Sequence, residues 1–143
     1  MVDDEDSILE VTKETLLSCG YNVMTAKDGT EAVALLADNK GKVNVVVTDM
    51  MMPFLDGPST IRAVRKIAPK VKIIASSGLG NDSRITEVQS LHVEAFLTKP
   101  YTAENLLSTL QKVLNGETVG VNNPANTEAG IPAAFSHKRH AHR

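Results

Sequence analysis

The sequence is poor in aromatic side chains and in cysteine. Aromatic residues make up 3% of its 143 residues and tryptophan is absent, so we expect a core of aliphatic side chains and methionine. The single cysteine, Cys19, excludes an internal disulfide, and its spacing from Leu16 predicts a small residue buried on an apolar helix face. No apolar run reaches the roughly 18 residues of a membrane-spanning helix, and the acidic start does not resemble a signal peptide.

The chain also lacks a strong excess of either charge. Its formal net charge is -2, and no long basic stripe occurs before the last few residues, so direct binding to nucleic acid is not expected. With no leader, no membrane segment and one thiol, the expected compartment is the reducing cytoplasm. The contents of 42% hydrophobic and 22% charged residues are those of one ordinary globular domain.

What the sequence does contain is an alternation of short apolar runs with segments of helical period. The apolar runs predict strands at 22–26, 43–48, 71–75 and 93–97, and the periodic segments predict helices near 6–19, 30–39, 57–67, 83–91 and 102–115. This pattern predicts an α/β domain with a parallel sheet. Because the periodicity ends near residue 115, we expect a domain at 1–115 and a flexible tail at 116–143.

The amino terminus departs from this alternation. Only Met1 and Val2 precede Asp3, whereas a typical strand needs about five residues, so the first strand is predicted to be truncated. Glu5 and Asp6 are assigned to the start of the first helix, where acidic side chains interact favourably with the helix dipole.

Polar side chains recur where the predicted strands end. Asp3 and Asp4 follow the short apolar start, Asp49 follows a run of three valines, and Ser77 and Lys99 follow two later strands. In an open α/β sheet these carboxyl ends form the ligand-binding edge. Three carboxylates against one ammonium leave an excess of about two negative charges, which a hard divalent cation such as Mg²⁺ would balance. A free carboxylate beside such a cation, a lysine and a hydroxyl is suited to carrying a phosphoryl group.

The same segments resemble the receiver domain of two-component response regulators over residues 1–115. The matching motifs, in chain order, are Val2-Asp3-Asp4-Glu5, Asp49-Met50-Met51-Met52-Pro53 with Leu55-Asp56-Gly57, Ile73-Ile74-Ala75-Ser76-Ser77-Gly78, and Phe96-Leu97-Thr98-Lys99-Pro100. The resemblance implies a flavodoxin-like, doubly wound (βα)5 parallel sheet with strand order 2-1-3-4-5, here with the first strand truncated.

The resemblance also implies a phosphoacceptor and a metal site. Asp49 would take a phosphoryl group from the phosphohistidine of a sensor histidine kinase or a histidine phosphotransfer domain. Mg²⁺ would be held by Asp3, Asp4 and Asp49, with the backbone carbonyl of Met51 as a further ligand. The chain would be a phosphoacceptor and not an enzyme in the ordinary sense.

Three further roles follow from the same resemblance. Lys99 would pair with the carboxylate and then with a phosphoryl oxygen, and the peptide bond to Pro100 is expected to be cis. Ser77, preferred to Ser76 because it directly precedes the small residue Gly78, would bond the phosphoryl group. Phe96 would change rotamer as the domain switches.

Two other functions fit parts of the pattern. A haloacid-dehalogenase-like phosphotransferase would also use a strand-end aspartate, but it needs a general acid two residues later, where this chain has Met51. A receiver-like binding module that no longer accepts phosphate would have lost an acidic residue, Asp49 or Lys99, and all are present.

The surroundings of the domain are predicted less directly. The face formed by the predicted helix 83–91, strand 93–97 and helix 102–115 would dock a downstream protein or a second copy of the chain. In the implied strand order the first strand is interior, so its truncation would cost much of the stability of about 5–15 kcal/mol. We therefore expect that Met1 is not the natural start. The chain is then either a single-domain receiver or the end of a longer protein, and the alternative that accounts for the missing strand is the C-terminal receiver of a hybrid histidine kinase.

Overall fold

A computed structural model describes residues 1–52, 55–78 and 90–116. The elements in these ranges are α1 (Asp6–Ser18), α2 (Gly29–Asp38), β1 (Val45–Asp49), α3 (Gly57–Ile67), β2 (Lys72–Ser77), β3 (Ala95–Thr98) and α4 (Ala103–Leu114). The predicted helices at 6–19, 30–39, 57–67 and 102–115 are thus confirmed to within a residue at each end. The predicted helix near 83–91 and the predicted tail lie outside the described residues, apart from positions 90 and 91 of the helix and position 116 of the tail.

The sheet is parallel and runs in the order β1-β2-β3. Val2 extends it beyond β1, because it forms isolated parallel bridges with Thr48 on one side and with Ala26 on the other. The spatial order from Ala26 through Val2 to β3 is the predicted 2-1-3-4-5. The first strand is reduced to one bridging residue, as expected. The strand predicted at 22–26 is wrong except for its last residue. Among the described residues, the short first strand reaches this segment only through the bridge of Val2 to Ala26 and through bonds of Met1 to Met24 and Ala26.

Helix starts in this chain follow capping chemistry. Asp28, Asp56 and Thr102 each precede a helix, and each side chain accepts a hydrogen bond from an amide in the first turn. Pro58 lies in the first turn of α3, where its missing amide costs nothing. Gly20 follows the end of α1 with a φ of 93°, a conformation that other residues rarely adopt.

Helices cover both faces of the sheet. Alternate strand residues such as Val46 and Ile73 pack with α2 and α3 in one apolar cluster. The residues between them, such as Val47 and Ile74, pack with α1 and α4 in a second cluster. Because each β1 residue is covered on one face or the other, the valine run needs no polar alternation. The expectation of a strand buried on both faces is confirmed.

Cys19 corrects one expectation. It is exposed, whereas its spacing from Leu16 predicted a buried position. The helix ends at Ser18, and the buried stripe of α1 is formed by Leu9, Thr12 and Leu16, so Cys19 lies in the cap beyond that stripe. Among the described residues, no helix is long and apolar enough to cross a membrane.

Candidate functional site

Asp49 is the last residue of β1 and is almost fully buried, with 4% of its surface exposed. Its Oδ1 accepts a hydrogen bond of 3.2 Å from the backbone amide of Met51. The chain then turns into α3, and the amide of Gly57 donates to the carbonyl of Met50. A Cβ at Gly57 would lie 2.9 Å from the carbonyl oxygen of Asp49, so this glycine lets the helix start directly behind the carboxylate.

Asp3 is held beside Asp49 by the backbone of its neighbour Val2. The amide of Val2 donates to the carbonyl of Val47 (2.8 Å), and the carbonyl of Val2 accepts from the amide of Asp49 (2.9 Å). The backbone amide of Asp3 donates to the carbonyl of Ala26, and the residue is 1% exposed. A single bridging residue, Val2, therefore positions Asp3 although the first strand is truncated.

The three predicted acidic residues meet at this edge. Asp3, Asp4 and Asp49 each offer a carboxylate oxygen, and these oxygens all lie within 4.8 Å of one another. Asp3 and Asp49 are buried, while Asp4 is exposed to solvent. The sequence prediction that these carboxylates lie together is confirmed in the geometry.

Lys99 supplies the positive charge. Its Nζ lies 2.7 Å from Oδ2 of Asp3 and 3.2 Å from Oδ2 of Asp49. It is placed there by the backbone, because its amide donates to the carbonyl of Ser77 (2.7 Å). Its peptide bond to Pro100 is cis, as expected from the sequence. One ammonium thus serves two buried carboxylates, so the local negative excess inferred from the sequence is present.

Burial and pairing shift the pKa values of these groups. Burial raises the pKa of Asp49 above its usual value, although the Met51 amide and the Lys99 ammonium oppose the shift. Burial also disfavours charged Lys99, but its hydrogen bond to Asp3 and the charges of Asp49 and Asp3 outweigh this and raise the pKa of the lysine. The lysine therefore remains charged at neutral pH. Of the two groups, it is Asp49 whose ionised form is destabilised by burial.

Ser77 and Phe96 lie on the neighbouring strands. Ser77 ends β2 and is 1% exposed, and its hydroxyl has a long contact of 3.4 Å to the carbonyl of Gly78. The hydroxyl of Ser76 lies 3.5 Å from the carbonyl of Thr48, within the sheet. Phe96 is buried in β3 in register with Ala75. The structure thus places Ser77 at the carboxyl edge of the sheet and Phe96 in the apolar core beneath that edge.

Two residues of the site were not foreseen. Glu5, assigned from the sequence to the helix dipole, makes no side-chain cap; its carboxylate instead lies 3.8 Å from Lys99. The hydroxyl of Tyr101 is buried without a hydrogen-bond partner among the described residues. Burial raises the pKa of Tyr101. The charge of Lys99 opposes this shift, and the charges of Asp3 and Asp49 add to it. The one sequence signal that could have indicated a place for Tyr101 in the site is its position two residues after Lys99.

Comparison with known proteins agrees with this geometry. The sequence profile of the response regulator receiver domain matches residues 1–111. The chain therefore belongs to the response regulator receiver domain family of two-component signalling. This membership favours the receiver interpretation over the haloacid-dehalogenase-like alternative.

Individual relatives are of two kinds. The sensor kinase CckA of Brucella abortus (strain 2308) is 34% identical over 114 residues, which are 80% of this chain and 12% of the kinase. The response regulator MprA of Mycobacterium sp. (strain KMS) is 32% identical over 114 residues, which are 80% of this chain and 49% of the regulator. The chain thus spans half or less of the length of these relatives.

Solved structures show the same fold. A response regulator receiver domain protein from Clostridium thermocellum superposes with a TM-score of 0.75 at 32% identity, covering 80% of this chain and 90% of that one. The chemotaxis protein CheY4 of Vibrio cholerae gives 0.71 at 33% identity, covering 78% and 93%. The doubly wound α/β class predicted from the sequence is confirmed.

Proposed function

We propose that this chain is a working phosphoacceptor, in which the carboxylate of Asp49 takes a phosphoryl group from a phosphohistidine. The donor would be a sensor histidine kinase or a histidine phosphotransfer domain. The observation that carries the proposal is the placement of buried Asp49 between the ammonium of Lys99 and the acidic pair Asp3 and Asp4. A carboxylate oxygen of Asp49 would attack phosphorus as the bond to the donor imidazole breaks, in a stoichiometric transfer rather than enzymatic turnover.

The hydrogen bonds favour Asp49 over Asp3 as the acceptor. Asp3 makes a short bond of 2.7 Å to Lys99 from one oxygen and accepts the amide of Glu5 at 3.0 Å on the other. Asp49 makes longer bonds of 3.2 Å on each oxygen. Its burial also destabilises its charged form. Asp49 is therefore the less firmly held and more nucleophilic of the two buried carboxylates.

The donor set fits Mg²⁺. Carboxylate oxygens within 4.8 Å of one another are the hard ligands that this ion prefers. Asp3, Asp4 and Asp49 would hold it, with the backbone carbonyl of Met51 as a further ligand. When bound, Mg²⁺ would neutralise the carboxylate excess and the charge of the phosphoryl oxygens.

Lys99 and Ser77 would stabilise the product. The ammonium of Lys99 already lies 3.2 Å from Asp49, so it can transfer a hydrogen bond to a phosphoryl oxygen without leaving Asp3. The hydroxyl of Ser77 gives up only a weak contact of 3.4 Å when it turns toward that oxygen. Phe96, one strand further on, would respond by changing rotamer.

The partner-binding consequence is part of the same proposal. Phe96 and helix α4 would present the output face to a downstream protein or to a second copy of the chain, together with the segment near 83–91. The exposed, unpaired thiol of Cys19 is compatible with a reducing cytoplasm, where we place the reaction.

Phosphorylation by a small-molecule donor tests the proposal directly. The protein is incubated with Mg²⁺ and acetyl phosphate, and the phosphorylated fraction is read by intact-protein mass spectrometry. We expect one acid-stable, hydroxylamine-labile phosphoryl group on the wild type and none on Asp49→Asn. Asp56→Asn is the matched control, because asparagine caps a helix as well as aspartate does. An unlabelled wild type, or an equally labelled Asp49→Asn, would contradict the proposal.

A second setting for the same chemistry is a receiver within a hybrid histidine kinase. The observation that favours it is the 34% identity to part of the sensor kinase CckA. Sequencing the gene upstream of the first codon tests this. An open frame encoding a kinase core supports it, and an in-frame stop codon directly before Met1 rules it out.

A further inference from the structure

Glu94 lies directly before β3 and takes part in the pairing of that strand with β2. Its backbone amide donates to the carbonyl of Ile73 (2.9 Å), and its carboxylate Oε1 accepts the amide of Ile73 at 2.7 Å. In a regular parallel ladder a backbone carbonyl would accept that amide. Ile73 is fully buried, so its amide depends on the Glu94 side chain for its hydrogen bond.

Arg65, in the last turn of α3, binds the same segment from the helix side. Its Nη2 donates to the carbonyl of His92 (2.9 Å) and lies 3.6 Å from Oε1 of Glu94. The side chains of Arg65 and Glu94 are 31% and 27% exposed, so water screens their attraction only in part. The two side chains, the His92 carbonyl and the Ile73 amide thus form one connected set, the Arg65–Glu94 network.

The backbone at His92 is strained. Its φ of 56° is in the left-handed region, which residues other than glycine rarely adopt. Such a conformation persists only where the surrounding contacts hold it. The carbonyl of His92 is the group that Arg65 binds, so the guanidinium is one of the contacts that hold this turn at the entrance to β3.

The hydrogen bonds of Arg65 are incomplete in this arrangement. Within residues 1–52, 55–78 and 90–116, its Nε is buried and has no hydrogen-bond partner. The 3.6 Å between Arg65 and Glu94 is also longer than a direct hydrogen bond. A small movement of the segment 92–94 would allow Nε and Nη2 to bind the Glu94 carboxylate together, as arginine commonly does. The network therefore has a second arrangement within reach.

The network connects two elements that also meet at the acidic site. Helix α3 starts directly behind Asp49 and carries Arg65 in its last turn. Strand β3 ends directly before Lys99 and is preceded by Glu94. Phe96 lies two positions after Glu94 and shares an apolar cluster with residues of α3. Movement of either element at the site is therefore resisted at its far end by the network.

We propose that Arg65 and Glu94 are positioning residues that hold the segment 92–94, and with it Phe96, in the arrangement of the unphosphorylated chain. This inference rests on the proposed phosphoacceptor function of Asp49. Contacts that exist in one of two arrangements shift the equilibrium toward it, so the network opposes phosphorylation. Weakening it raises the fraction of molecules in the reactive arrangement, and the observed rate of phosphorylation rises with that fraction. An ion pair that only stabilises the fold would leave this rate unchanged.

Two substitutions with opposite changes of charge test the proposal. Glu94→Gln removes the negative charge but keeps an oxygen for the Ile73 amide, and Arg65→Met removes the guanidinium but keeps an unbranched stem. The full chain is phosphorylated with acetyl phosphate and Mg²⁺, and the rate constant is measured by intact-protein mass spectrometry. We expect each variant to react about 5-fold faster than the wild type, at the lower end of the range for coupled sites, because the pair is partly exposed.

The opposite charge changes separate this effect from attraction or repulsion of the anionic donor. A general charge effect would speed the reaction of one variant and slow that of the other. Lys66→Met, at an exposed position in the same turn of α3, is the matched control and should react like the wild type. The double variant Arg65→Met/Glu94→Gln should gain no more than either single variant, since both break the same contact.

Hydrogen exchange gives a second readout, which needs no phosphorylation. In the unphosphorylated, metal-free chain, Arg65→Met and Glu94→Gln should speed exchange of the segment 92–97 at least about 3-fold, and Lys66→Met should not. Equal exchange in all chains, unchanged phosphorylation rates in both variants, or an equal rise in Lys66→Met would overturn the inference while a labelled wild type upholds the phosphoacceptor function. A wild type that takes no phosphoryl group would overturn the proposed function, and the inference with it.

Discussion

Replacing Asp49 by asparagine should stabilise the metal-free protein near neutral pH. The Lys99 ammonium at 3.2 Å attracts the carboxylate by about 5 kcal/mol at an effective dielectric constant of about 20. Asp3, within 4.8 Å, repels it by at least about 3.5 kcal/mol on the same basis. The remaining attraction is therefore at most about 2 kcal/mol, which is smaller than the several kcal/mol that burial of a carboxylate costs. Ionised Asp49 is therefore a net destabilising charge, which agrees with the direction of its pKa shift.

Asparagine removes this charge and keeps the rest of the site. Its side-chain oxygen can still accept the Met51 amide, and Lys99 keeps its 2.7 Å partner Asp3. We expect the free energy of unfolding to rise by about 1–2 kcal/mol, measured by urea denaturation with a chelator present. Glu14→Gln, at an exposed position of α1, is the control and should change stability by less than about 0.5 kcal/mol.

The stability difference between Asp49→Asn and the wild type should depend on pH in a definite direction. A carboxyl group whose folded pKa is raised destabilises the fold above that pKa and has no such cost below its unfolded value of about 3.9. The advantage of Asp49→Asn should therefore be largest near neutral pH and shrink as the pH falls toward about 4. An asparagine variant less stable than the wild type near neutral pH, or a difference independent of pH, would refute the reasoning.

Three further substitutions probe the same edge of the sheet. Lys99→Met leaves two buried carboxylates unpaired and should cost about 3–5 kcal/mol in urea denaturation near neutral pH; part of this loss should return at low pH, when the carboxylates protonate. Gly57→Ala forces a Cβ to within 2.9 Å of the Asp49 carbonyl oxygen and should cost about 1–3 kcal/mol in the same assay. Met51 is half exposed and offers no polar side-chain group to align a hydrolytic water, so Met51→Asn should shorten the lifetime of phosphorylated Asp49 about 10-fold in a decay assay.

Each of these has its own control and its own contrary result. Lys70→Met, at an exposed position, should leave stability unchanged; an equal loss would mean that the charge of Lys99 is not responsible. A Cβ at Gly78 meets nothing within 4 Å, so Gly78→Ala should be tolerated, and a cost as large as that of Gly57→Ala would argue against crowding. An unchanged decay rate in Met51→Asn would reject the water-alignment mechanism.

The elements of the fold were predictable because their signals are local. Helix periodicity and the capping residues Asp28, Asp56 and Thr102 determine where helices start within a few neighbouring positions. The valine run of β1 predicted burial on both faces. The segment 22–26 was mispredicted because a strand forms only with a partner, and among the described residues the only β-bridge of this segment is the one between Ala26 and Val2. Cys19 was mispredicted because burial depends on where α1 ends.

The sequence by itself determined that Asp3, Asp4, Asp49, Ser77 and Lys99 follow strands of one parallel sheet, since residue order and strand periodicity are enough to assign them to its carboxyl edge. Only the tertiary structure decided how their charges are shared. The close approach of Lys99 to Asp3, its contact with Glu5 and the burial of Asp49 depend on backbone bonds between distant segments.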